Sequence, residues 1–179
     1  MAHNHKIGKR NHYRFVERKI STVILNLAIG IFMVGANFAY AQSFQSEVEI
    51  LQEAFGLEKK VVVAKFMDLE ASESGFWKIY EEYEAARKKL GKERIQIIAD
   101  YASSYPNLSD EKIQELFKRT QAVKESFDDL QASYFKKMRK EVGISKAAQF
   151  WQLESYFSAL IQANIYTQIP FIGEHTDRK

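Results

Sequence analysis

The stretch that decides the fold is residues 108–143, which read LSDEKIQELFKRTQAVKESFDDLQASYFKKMRKEVG. Ser109 can accept a hydrogen bond from an amide of a first helical turn, and Asp110 and Glu111 place negative charge at the positive end of the helix dipole. Gly143 is typical of a helix end. Between these ends, apolar side chains recur at alternating steps of three and four residues, which predicts one helix with a seam for an antiparallel neighbour or a dimer partner. The seam consists of Ile113, Leu116, Thr120, Val123, Phe127, Leu130, Tyr134 and Met138.

Three other segments have helical spacing as well. They cover residues 47–67, 72–104 and 145–168. Ser72 and Ser145 are candidate N-caps, and Pro106 ends the second segment because the residue before proline avoids the helical region. Apolar residues occupy several faces of the last segment, which is typical of a helix that is central or shared with another chain. The sequence therefore predicts an all-α fold of about four helices in a single hairpin-type bundle.

The N-terminus has the layout of a secretory signal. A basic stretch precedes an apolar run at residues 20–36, and the small-x-small pattern AYA follows at residues 39–41. An uncleaved anchor is the alternative, but the run is shorter than the roughly 20 apolar residues that a membrane span prefers. We therefore predict a signal peptide (1–41), a helical domain (42–168) and a flexible C-terminal tail (169–179). The mature protein would be periplasmic, without stable membrane insertion after cleavage.

Composition argues against several classes of function. Residues 1–41 hold six of the 26 basic and one of the 23 acidic side chains, so the mature chain has 20 basic and 22 acidic residues. It lacks the overall basicity typical of nucleic-acid binding. His175 is the one histidine after residue 41, and the chain has no cysteine, so the usual metal sites and His-based catalytic sets cannot form within one mature chain. We predict no cofactor, no metal and no catalysis, with an enzyme that uses carboxylates alone as the remaining alternative.

Aromatic residues are the unusual feature of the mature chain. Nineteen Phe, Tyr and Trp residues follow residue 41, and FWKIYEEY at residues 76–83 spreads several over an arc too wide for one narrow seam. Either a wide core or dimer interface covers them, or some line an exposed surface that binds a partner. Basic residues near the end of the third segment would add adaptable contacts with such a partner. The candidate partner-binding residues are Trp77, Tyr80, Tyr101, Phe135, Arg139 and Trp151.

The openings of the helices are similar to a known family motif. LSDEK at residues 108–112 resembles the L-T-x-x-Q motif of the Spy/CpxP-type periplasmic proteins, with serine for threonine and lysine for glutamine. LEASE at residues 69–73 is a poorer copy. The resemblance implies a bent, cradle-like helical dimer that shields unfolded or partly folded envelope proteins or modulates a stress-sensor domain. A structural or assembly subunit with one dedicated envelope partner is the alternative.

The predicted signal peptide implies a defined N-terminus for the mature chain. If signal peptidase recognises AYA at residues 39–41, the mature chain begins at Gln42. Intact-mass analysis of the protein recovered from the periplasm of an expressing Gram-negative cell checks this. Recovery of the chain with residues 1–41 still attached would contradict the predicted cleavage.

Overall fold

The structure, a computed structural model, describes residues 56–173 apart from the side chain of Gln168. This region is mostly helical and residues 56–173 contain no strand, which confirms the all-α prediction. Helix α1 covers residues 56–67, α2 is Ser74–Ser104 and α3 is Asp110–Gln168. The predicted signal peptide, the first part of the predicted first helix and residues 174–179 of the predicted tail lie outside the described residues. No helix in the described region has the length and apolar character needed to cross a membrane.

The starts of α2 and α3 are capped differently. The Ser109 hydroxyl accepts a hydrogen bond from the amide three residues later at 3.2 Å, as predicted. Helix α2 begins at Ser74, and its N-cap residue Glu73 makes no side-chain capping bond. The predicted cap at Ser72 is wrong, because the hydroxyl of Ser72 donates instead to the carboxylate of Glu70 at 3.3 Å. Ser72 therefore forms a hydrogen bond within the turn before α2 and does not cap the helix.

Helix α3 reverses direction at Gly143. This residue has φ 81° and ψ 167°, a combination that is essentially restricted to glycine. The rings of Phe135 and Trp151 lie 6.2 Å apart, although sixteen residues of continuous helix would separate them by about 24 Å. Residues 110–142 and 144–168 therefore run antiparallel, and we call them arm A and arm B. The reversal falls on the glycine that the sequence predicts as a helix stop.

The main core lies at the Gly143 end of the bundle, where α1, α2 and both arms meet. Tyr83 of α2 connects the arms, because its ring contacts Tyr134 of arm A at 5.5 Å and Phe150 of arm B at 5.6 Å. Such edge-to-face pairs contribute about 0.5–1.5 kcal/mol each beyond the area that they bury. The buried members of this core are Val63, Met67, Phe76, Tyr80, Tyr83, Met138, Ala147, Phe150, Leu153 and Phe157.

A smaller core holds the opposite end, which we call the open end. It lies between the last turns of α2 and the first half of arm A, and Tyr101 packs against it. The Tyr101 hydroxyl also donates a hydrogen bond to the carbonyl of Pro170 at 2.7 Å, which ties the end of arm B to the end of α2. The start of the predicted flexible tail is therefore held against the bundle. The buried members of the smaller core are Ile97, Leu116 and Val123.

Replacing Gly143 by alanine tests the reversal. A Cβ at this position meets no atom within 4 Å, so the cost comes from the backbone conformation and not from crowding. We expect Gly143→Ala to lower the free energy of unfolding by about 1–3 kcal/mol in urea titrations. Gly56→Ala is the control, because Gly56 is helical and equally uncrowded, so its stability should stay the same or rise by up to about 1 kcal/mol. Equal effects at both glycines would contradict the assigned conformation.

Candidate functional site

The six predicted partner-binding residues do not form one surface. Tyr101 lies at the open end, whereas the others lie toward Gly143. Trp77 and Tyr101 are 24 residues apart on α2, which corresponds to about 36 Å along the helix. The set must therefore be divided according to what each side chain contacts.

Tyr80 is buried and does not lie on a surface, so the prediction that it contacts a partner is wrong. Its side chain is 2% exposed, and its ring packs against Phe76 at 6.1 Å and Phe150 at 5.9 Å. Burial raises the pKa of its hydroxyl above the ordinary value, and this hydroxyl donates to no group among residues 56–173. The sequence cannot distinguish it from an exposed aromatic, because the apolar arc of α2 is wide enough to contain both.

Trp77 holds the start of α2 in place. Its indole N–H donates to the carbonyl of Glu70 at 2.8 Å, and the ammonium of Lys60 lies 5.1 Å from its ring centre. A cation over a tryptophan face contributes about 0.5–1 kcal/mol at an exposed site. Trp77 therefore has partners within the chain, and its half-buried ring connects α1, the turn and α2.

Phe135, Arg139 and Trp151 are brought together by the reversal at Gly143. The rings of Phe135 and Trp151 meet edge to face and are half-buried, and Arg139 is exposed one turn beyond Phe135. Ile144, directly after the reversal, is 59% exposed. Ile144 is not among the predicted contact residues, although an apolar residue directly after a helix-stop glycine is a recognisable signal. We call this group the corner surface, and it consists of Phe135, Lys136, Arg139, Lys140, Ile144 and Trp151.

A buried ion cluster beneath α1 also went unpredicted. The ammonium of Lys59 is fully buried and lies 2.5 Å from carboxylate oxygens of both Glu84 on α2 and Glu154 on arm B. It also lies 5.6 Å from the ring centres of Tyr83 and Phe157. One side chain of α1 thus binds two other parts of the bundle. The sequence conceals this role, because Lys59 and Lys60 look like an ordinary solvated pair.

The cluster is balanced in charge. Arg87 pairs with Glu84 at 3.2 Å, and the Tyr83 hydroxyl donates to Glu154 at 2.8 Å. Burial alone would raise the pKa of Glu84, but Lys59 and Arg87 outweigh it and hold that pKa below its ordinary value. Burial and the neighbouring Glu154 carboxylate raise the pKa of Tyr83, so its hydroxyl stays protonated as a donor. Two cations face two carboxylates, with Lys59 and Glu154 buried and Glu84 and Arg87 partly exposed, and this pairing fits a structural role better than a reactive site.

Large apolar side chains are exposed at the open end. Phe171 and Ile172 directly follow the carbonyl that Tyr101 binds, and Phe117 adjoins a buried member of the smaller core. Tyr166 lies one turn before Pro170. None of these residues was predicted as a contact residue, because Phe171 and Ile172 fall in the predicted tail and Phe117 lies off the predicted seam. The exposed fractions are 64% for Phe117, 59% for Tyr166, 66% for Phe171 and 62% for Ile172.

Neither a metal site in the described region nor a similarity to known proteins adds to this picture. The described region has no group of three or more His, Asp or Glu side chains that could hold a metal ion. Comparison with protein-family models, with curated protein sequences and with solved structures finds no match to this chain. The resemblance to Spy/CpxP-type proteins therefore stays a prediction.

Removing the Lys59 ammonium should destabilise the fold strongly. Lys59→Met leaves Glu154 buried without its cation, and we expect a loss of about 3–5 kcal/mol in the free energy of unfolding. Lys60→Met is the matched control, because Lys60 and its partner Glu81 are 43% and 64% exposed. Their ion pair and the contact of Lys60 with the Trp77 ring each contribute at most about 1 kcal/mol. Urea denaturation followed by circular dichroism measures both. Similar small losses in the two variants would contradict the role given to Lys59.

Proposed function

We propose that this chain is an exported, non-catalytic helical protein that binds partly folded envelope proteins through its open end. The proposal rests on four large apolar side chains exposed at that end, two of which directly follow the Pro170 carbonyl that Tyr101 binds. Single exposed apolar residues are common on protein surfaces, but several at one end of a molecule favour an interaction site.

The free energy available from the exposed side chains at the open end fits weak and adaptable binding of client proteins. Complete burial of one such side chain contributes about 1.5–3 kcal/mol, so a client that covers part of this group would gain only modest affinity after the costs of association. The open end also has the smaller core, with three buried residues in its cluster. Low local packing makes this end the easier one to adjust to different clients.

The predicted export of the chain favours client proteins that belong to the cell envelope. The basic, apolar and small-residue regions of residues 1–41 favour a periplasmic destination, and the absence of cysteine requires stability from packing alone. Chaperone-like protection of clients, or modulation of an envelope-stress sensor, would both use exposed apolar contacts without a cofactor.

The proposal includes the arrangement of the helices. The four helical segments are α1, α2, arm A and arm B, in a hairpin-type bundle whose Gly143 end is covered by the described part of α1. In a bent, cradle-like homodimer, two open ends would lie close together and their exposed side chains would form one concave surface. Sedimentation of residues 42–179 at the concentration used for client binding determines whether the acting species is that dimer.

Suppression of client aggregation tests whether the exposed apolar side chains of the open end bind client proteins. We expect residues 42–179 to reduce light scattering by an unfolding client without ATP, and the variant Phe117→Ser/Phe171→Ser/Ile172→Ser to lose most of that effect because its apolar contacts are gone. All three side chains are exposed, so helicity and unfolding should change little. The control is Leu57→Ser/Val61→Ser, which removes exposed apolar side chains of α1 and should leave suppression intact.

Two results would contradict the proposal. One is the absence of suppression with several clients of different composition. The other is equal loss in the open-end variant and the α1 control, since that would reflect general hydrophobicity and not a site.

A dedicated assembly partner is the second candidate function, and one observation favours it. Leu57 and Val61 are 71% and 55% exposed and lie one turn apart on α1, so they form a narrow apolar stripe of the kind that pairs with another helix. A stoichiometric partner that binds the native chain, and that Leu57→Ser/Val61→Ser loses, would favour this function. The open-end variant would retain that partner.

A further inference from the structure

Three cations at the Gly143 end lack acidic partners. Lys136, Arg139 and Lys140 are exposed, and none forms an ion pair with any residue in 56–173. Their spacing of three and four residues places them on one face of arm A. The neighbouring Lys137 differs, because its ammonium lies 3.4 Å from Glu82 and 4.2 Å from the ring centre of Tyr134.

The one acidic residue in this run is directed elsewhere. Glu141 lies against the start of α2, where its carboxylate fills the space that a side chain on Gly75 would need. Negative charge near the first turn of a helix is favourable, because it faces the positive end of the helix dipole. The carboxylate of Glu141 thus lies at the start of α2 and forms no ion pair with the three cations in the described region.

The same corner carries an apolar tip. Ile144 follows the reversal directly, and a Cβ on Gly143 would meet no atom within 4 Å, so the tip is open. The half-buried rings of Phe135 and Trp151 pack together about two helical turns from this tip, and the indole N–H of Trp151 donates to no group in the described region. The corner surface therefore combines unpaired cations, one projecting aliphatic side chain and a tryptophan with a free donor.

We propose that the corner surface docks on an anionic lipid bilayer, with Lys136, Arg139 and Lys140 against the phosphate groups and Ile144 inserted at the interface. Cations near an anionic leaflet and an amphipathic tryptophan at headgroup level are the features that peripheral membrane surfaces use. A projecting tip can enter a soft interface, whereas a protein partner would need a matching pocket. Nucleic acid fits less well, because the aromatic rings here are packed against each other and not spread as a stacking platform.

The docking proposal is independent of the proposed function. The corner surface and the open end lie at opposite ends of the bundle, so lipid docking would leave the client-binding group facing away from the membrane. Loss of one activity does not imply loss of the other, and the two sets of substitutions share no residue.

The test measures contact between Trp151 and lipid in the full chain. Trp77→Phe leaves Trp151 as the single tryptophan, and vesicles with brominated acyl chains quench its fluorescence only when it reaches the bilayer. We expect quenching with vesicles of 30% phosphatidylglycerol, little quenching with phosphatidylcholine alone, and loss of the signal at high salt because exposed charges are screened. Because the readout is local, binding through residues 1–41 does not reproduce it.

Variants identify the groups responsible. Each cation removed should lower the docking constant about fivefold, equivalent to about 1 kcal/mol, so Lys136→Gln/Arg139→Gln/Lys140→Gln should lose roughly 100-fold and Ile144→Ser several-fold. The matched control, Lys89→Gln/Lys118→Gln/Lys124→Gln, removes the same charge from exposed positions away from the corner and should retain docking.

Three outcomes would overturn the proposal. Quenching that is equal in neutral and anionic vesicles would exclude an electrostatic surface. Equal losses in the corner and control variants would show an effect of net charge alone. Binding to soluble polyglutamate as tight as to vesicles, and insensitive to Ile144→Ser, would indicate an acidic protein partner instead.

Discussion

The backbone conformation of Gly143 determines the course of the second half of the described chain. With φ 81° and ψ 167°, this residue ends arm A and sends arm B back along it. Only this return brings Phe150 to Tyr83 and places Glu154 beneath α1, where Lys59 binds it. A residue with a side chain would adopt the same conformation only with strain, so the core, the ion cluster and the corner all depend on glycine here.

The ion cluster beneath α1 follows from that return. An isolated helix as short as the described part of α1 is marginal in water, and packing must hold it. Val63 and Met67 supply apolar contact, while Lys59 requires two carboxylates that only one docked position provides. Buried ion pairs contribute little net stability compared with apolar residues of equal volume, so we infer that this cluster fixes the position of α1. The same end then carries the corner surface, and four exposed large apolar side chains lie at the open end.

Part of this organisation is predictable from residue patterns, and part depends on tertiary contacts. The all-α class, the cap at Ser109 and the stop at Gly143 follow from local spacing and chemistry. Local patterns cannot reveal that Lys59 is buried, because its partners Glu84 and Glu154 are 25 and 95 residues away. Exposure of Phe117 and Phe171, and burial of Tyr80, likewise depend on which faces the arms cover, which no periodicity specifies.

Helix α3 is a reversed pair of arms and not one continuous helix, and the distance between the two arms tests this directly. Because the chain has no cysteine, Lys124→Cys and Gln162→Cys introduce two unique sites for spin labels at exposed positions on arms A and B. Pulsed electron paramagnetic resonance should give a label separation below about 25 Å, because packed helix axes lie about 8–10 Å apart and the label linkers add the rest. A separation near 57 Å, the approximate length of 38 residues of continuous helix, would show that α3 does not reverse at Gly143.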